Sequence, residues 1–71
     1  MMNATTTVWT SSNGRYTILR HTEKSYELLI NNSGIEIWQE DGVYIAPMMC
    51  YVHVPKYVLK AVKKHVGEVM Y

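Results

Sequence analysis

Apolar and polar side chains alternate in short runs as far as Val54, and from Pro55 onward they repeat at helical spacing. The runs 8–10, 15–21, 26–31, 35–38, 43–45 and 49–54 have the period of two of a strand, whose successive side chains point to opposite faces. Clusters of turn formers separate them: Ser11-Ser12-Asn13-Gly14, Thr22-Glu23-Lys24-Ser25, Asn31-Asn32-Ser33-Gly34 and Glu40-Asp41-Gly42. Asn-Gly between strands marks a hairpin, and Asn and Gly tolerate the positive φ of tight turns. Ala46-Pro47 interrupts the fifth run, because proline brings no N–H to a ladder. Residues 1–7 are polar and expected to be loose.

The last part of the chain predicts one helix. Pro55 suits a first helical turn, where a missing N–H is no loss, and Gly67 provides a stop. At about 100° per residue, Val58, Leu59, Val62, Val66 and Val69 share one arc, and Lys56, Lys60, Lys63 and Lys64 lie opposite. A helix this short is marginal alone in water, so the apolar arc must pack on the sheet and the lysines must face solvent. Tyr57 breaks the pattern on the polar side, near Lys60 and Lys64, either lying over their aliphatic stems or anchoring a partner. Strands at short intervals followed by one helix define the fold class: α+β, a small antiparallel β-meander of four to six short strands with one C-terminal α-helix packed on one face, in a single domain 1–71.

Period-two counting gives an inner set of Ile18, Leu28, Ile30, Ile35, Ile37, Val43, Ile45, Val52 and Val54. The other set holds Leu19, Leu29, Trp38, Tyr44, Met49, Tyr51 and His53, with Trp9 nearby. One helix cannot cover both faces, and the second set is too apolar for a solvated face. Three explanations are open: a sheet curled into a partial barrel, a homodimer interface, or a platform for a ligand, protein or nucleic acid.

Composition narrows the classes. Seventy-one residues with 48% apolar side chains make one domain that folds around a small core. Phe is absent, so Tyr and Trp, which favour half-exposed positions, supply every aromatic ring. The net charge of +1 hides an asymmetry: residues 1–54 carry three basic and five acidic groups, residues 55–71 four lysines and Glu68. A lone cysteine excludes an internal disulfide framework. No apolar run approaches the ~20 residues of a membrane span, and the start of the chain lacks the regions of a signal peptide. The expected location is the cytoplasm, and the glycosylation-type triplets at Asn3 and Asn31 are too common to change that.

Catalytic and metal chemistry find little support. Cys50 and His53 are three apart, which on a strand puts them on opposite faces, so neither a shared metal nor a Cys–His nucleophile pair is expected. Cys50 is assigned to the inner face as a small core residue. His21, His53 and His65 are scattered, and Glu40-Asp41 reads as a solvated hairpin tip. There is no phosphate-binding glycine loop, nucleophile elbow or carboxylate pair, so no enzyme, cofactor or metal is expected.

In its order of strands followed by a helix, the chain resembles at the level of architecture a family of dimeric single-stranded-DNA binders, the transcriptional positive cofactors. It carries no motif of that family, so the resemblance transfers no site residue. The first functional reading is a non-enzymatic protein-interaction module, of the inhibitor or adaptor type common among phage and mobile-element proteins. Its partner-binding candidates are Tyr57, Lys60, Lys64, Trp38, Tyr51 and Tyr44. The alternative is a dimeric nucleic-acid binder, in which Lys56, Lys60, Lys63 and Lys64 meet phosphates and a Trp or Tyr stacks a base. The acidic Glu36, Glu40 and Asp41 count against it.

Overall fold

The computed structural model describes residues 4–71. Among them six strands form one sheet in chain order: β1 Thr6–Thr10, β2 Tyr16–Thr22, β3 Ser25–Ile30, β4 Ser33–Glu40, β5 Val43–Ile45 and β6 Val69–Met70. A 3₁₀ turn, Pro47–Tyr51, and the helix α1, Lys56–His65, lie between β5 and β6. The first five strands are antiparallel, and β6 pairs with β5 in parallel. The expected small α+β architecture is therefore present, with a short final strand added. No helix among the described residues is long and apolar enough to cross a membrane.

Local chemistry explains the hairpins. Asn31 and Asn32 occupy the β3–β4 turn at φ 49° and 72°, and Asp41 and Gly42 the β4–β5 turn at φ 53° and 80°. Positive φ at both central positions is what a two-residue hairpin with the natural strand twist requires. The β1–β2 connection is longer and is held by side chains. Ser11, 5% exposed, donates through Oγ to Asn13 Oδ1 at 2.7 Å and accepts from the Tyr16 N–H at 3.1 Å. Gly34, expected in a turn, instead lies in β4 opposite Leu29. A Cβ at this position would run into the Glu27 carboxylate, so its missing side chain makes room on the sheet.

The helix covers the face of Ile18, Leu28, Ile35 and Ile37, and these side chains form the core with Val58, Ala61 and Val62. Lys56, Lys60, Lys63 and Lys64 are all exposed, as expected. Pro55 is the N-cap and not the first helical residue; its carbonyl accepts from the Val58 and Leu59 N–H groups at 3.0 Å. Gly67, at φ 127°, donates to the Val62 carbonyl at 3.1 Å and ends the helix.

Several expectations are corrected. Thr6 and Thr7 are not loose but pair with Arg20 and Leu19, while residues 1–3 of the loose stretch lie outside the described residues. Residues 49–54 do not form a strand. Pro47 starts a 3₁₀ turn that puts Ala46 and Met49, three apart, side by side in the core. Cys50 is thereby exposed, its thiol 3.1 Å from the Pro47 carbonyl, and Val52 is exposed too. Because this segment turns away, the edge of β5 is free, and the chain returning from the helix fills it with β6. Val69 is therefore a strand residue opposite Tyr44, not part of the helical arc.

The faces of β5 are also reversed. Register places Ile45 beside Trp38, and Val43 beside Glu40, on the face away from the helix. Tyr44 aligns with Gln39 on the helix side and packs against the core. Trp9 joins that side as well, opposite Ile18, next to an irregularity at Val8 that turns both residues toward the core. The sheet is open, with β1 and β6 at its edges, and is not a closed barrel.

Candidate interaction surfaces

Two surfaces lie on opposite layers of the molecule. The first is the sheet face away from α1, on which no element packs among the described residues. Pairing aligns Ser25, Trp38, Ile45 and Met70 in one row across four strands, and Leu19, Glu27 and Glu36 in another. Val43 extends the apolar row toward the β4–β5 turn, and Leu29 lies beyond Glu27 and Glu36 toward the β3–β4 turn. Met70 is 64% exposed, while Trp38 and Ile45 are half-buried by their neighbours.

Some of the polar groups of this face are tied to one another. Trp38 Nε1 donates to Glu40 Oε2 at 3.0 Å, which sets the edge of the indole. His21 Nε2 lies 2.8 Å from Glu27 Oε1, and its Nδ1 lies 3.0 Å from Thr5 Oγ1. Glu27, Glu36 and Glu40 are the carboxylates that register places here, and His21 is a basic side chain beside Glu27. Glu27 and Glu36 pair across β3 and β4 and separate Leu29 from the row of Trp38.

The second surface is the outer side of α1. Its four lysines are exposed, with no acidic residue in the helix to offset them. Lys63 reaches across to Glu68, 3.2 Å away, but both side chains are largely solvated, so the pair contributes at most ~1 kcal/mol. Beside this contact runs a groove of ≈ 220 Å³ between the helix and the last strand. Leu59, Val62, Val69 and Tyr71 supply its apolar lining, and Lys60, Lys63 and Glu68 its charged rim.

The six candidate residues do not share a surface. Lys60 rims the groove, and Lys64 is exposed on the same helix. Tyr57 is a structural latch: its ring meets Tyr16 edge-on at 5.9 Å and its hydroxyl accepts from Asn13 Nδ2 at 3.3 Å. It is still 47% exposed. Tyr44, on the helix side, meets Tyr26 edge-on at 5.7 Å, and its hydroxyl donates to the Glu23 carbonyl at 3.1 Å. Tyr51 projects at the end of the 3₁₀ turn, 77% exposed. Of the six, Trp38 alone lies on the uncovered sheet face.

Ile45, Met70 and the groove itself, with Val69, Glu68 and Tyr71, escape a sequence reading. Their signal is the alternation of Val69, Met70 and Tyr71 straight after the helix stop, which marks a strand with no turn to announce it. Among the described residues, no three His, Cys, Asp or Glu side chains come together as a metal site. Compared with protein-family models, with curated proteins and with solved structures, the chain matches none.

Proposed function

We propose that this protein is a small non-enzymatic interaction module, an inhibitor or adaptor that binds another protein through the uncovered face of its sheet. The observation that carries this reading is the row Trp38–Ile45–Met70, with Val43 beside it, on a face with no second layer among the described residues. Contiguous exposed apolar area on a sheet is a liability unless something covers it. A Trp fixed at its edge by Glu40 offers contact area at little entropic cost, as interface hot spots do. Glu27, Glu36 and Glu40 beside the row favour a partner with basic residues next to an apolar anchor. A second copy fits less well, since it brings the same three carboxylates to this face. An exposed, unpaired Cys50 suits a reducing compartment, in keeping with a cytoplasmic location.

The test uses Trp38→Glu and Ile45→Glu in affinity capture from the native host with quantitative mass spectrometry. Both variants should fold and lose the partner that the wild type retains, while Lys64→Glu keeps it. Capture unaffected by Trp38→Glu sinks the reading, and a stable dimer by light scattering that both variants dissolve assigns the face to self-association instead.

The exposed lysines of α1 favour a second reading, nucleic-acid binding. Four phosphate contacts give a log–log salt slope near −3 for single strands. The lysines and Trp38 lie on opposite layers, which leaves as rings beside them Tyr71 in the groove and Tyr57, half of which is held by Tyr16 and Asn13. Titration with single-stranded DNA, duplex DNA and RNA at low salt decides it: no binding removes this reading, and tight salt-sensitive binding promotes it over the first.

A further inference from the structure

We infer that the groove between α1 and β6 is a second docking site, which takes an extended acidic segment of a partner protein. The inference rests on the reading of the protein as an interaction module but uses a surface separate from Trp38. Three observations converge. First, β6 is an edge strand, so among the described residues one side of its backbone has no neighbour in the sheet. A peptide laid there adds a strand through main-chain hydrogen bonds.

Second, Val69 points to the helix side, as its pairing with Tyr44 requires, and with Leu59, Val62 and Tyr71 it lines the groove along that edge. Side chains on one face of an added strand would descend into this groove. At ≈ 220 Å³ it is smaller than the ~300–1,000 Å³ of small-molecule sites, and so suits one large apolar side chain and not a free metabolite. Third, the rim carries Lys60 and Lys63 against the single carboxylate of Glu68, and Lys56 and Lys64 extend the positive charge along the helix. Complementarity therefore selects a segment with carboxylates flanking one aliphatic or aromatic anchor. An adaptor with an acidic apolar face on one layer and a basic groove on the other can hold two partners of opposite charge.

The test is selection of a displayed library of random heptapeptides on the wild-type protein and on Lys60→Glu/Lys63→Glu, followed by mapping with amide NMR. Wild type should enrich Asp- and Glu-rich peptides bearing one large apolar residue, and the double variant, with an unchanged fold, should lose them at least tenfold. The selected peptide should shift amides of 59–63 and 67–71, bind tenfold more weakly with its anchor changed to Ala, and fail when its backbone N–H groups facing β6 are methylated. Trp38→Glu should bind it unchanged, so loss of the sheet-face reading and loss of this one are told apart. No enrichment, enrichment without acidic residues, survival in the double variant, or shifts centred on Leu19 and Trp38 would each overturn the inference.

Discussion

Single side chains decide several features of this fold. Asn32 sits at φ 72° in the β3–β4 turn, a conformation that costs most residues about 1 kcal/mol and glycine nothing. Asn32→Gly should hold or raise the melting temperature, whereas Asn32→Val should lower stability by ~1–2 kcal/mol in denaturant titration. Cys50 teaches the opposite lesson. Alternation assigns it to the core, yet the 3₁₀ turn leaves it exposed. It should therefore react rapidly with a thiol reagent in the native protein, and Cys50→Ala should change stability by less than ~0.5 kcal/mol. Slow modification that waits for unfolding would restore the buried assignment.

The helix and the last strand act as elements. Val58 and Val62 are fully packed between α1 and the sheet, while Leu59 is half-exposed at the groove. Val62→Asp should cost several kcal/mol, enough to unfold a domain this small, and Lys60→Ala should have no measurable effect. Equal effects would mean that the packed face of α1 is wrong. Tyr57 joins α1 to the first hairpin, so Tyr57→Ala should cost ~1 kcal/mol through the lost edge-on pair with Tyr16. Tyr57→Phe should cost much less, because the bond from Asn13 is long and exposed. β6 is short, but its Met70 carbonyl accepts from the Ala46 N–H at 2.9 Å and its Val69 packs on the core. Val69→Asp should release it, seen as loss of amide-exchange protection at Ala46 before any loss at Ile18 or Leu28.

At the scale of the whole molecule, one helix and one sheet give a single packed interface. The sheet's second face has no covering element among the described residues, and the helix's outer face carries the lysines. With so small a core, total stability should sit at the low end of the ~5–15 kcal/mol range. The charge split follows the layers: carboxylates lie on the sheet face, and lysines line the helix. Added salt should weaken any partner held at either surface while leaving the melting temperature nearly constant, because the ion pairs among the described residues are solvated or involve a histidine.

The meander, its turns, the helix and the lysine side of that helix were all legible in the sequence, because each rests on neighbours within a few residues. Asn31-Asn32 and Asp41-Gly42 need nothing distant to form their turns, and the valine arc with its opposing lysines is set by the helical repeat alone. The inner places of Ile18, Leu28, Ile35 and Ile37 were legible too, and the assignments that failed all depend on what lies across the fold. Val43-Tyr44-Ile45 is too short for alternation to reveal which residue faces in, and only pairing with β4 settles it. Residues 49–54 alternate like a strand, but Ala46 and Met49 gain more by entering the core together on a 3₁₀ turn. That choice frees the edge of β5, which in turn creates the place for Val69 and Met70 and the groove beside them. Local propensity thus wrote the elements, and long-range burial decided the faces, the last strand and both candidate surfaces, since the free energy of covering apolar area depends on the whole chain and not on any one run of it.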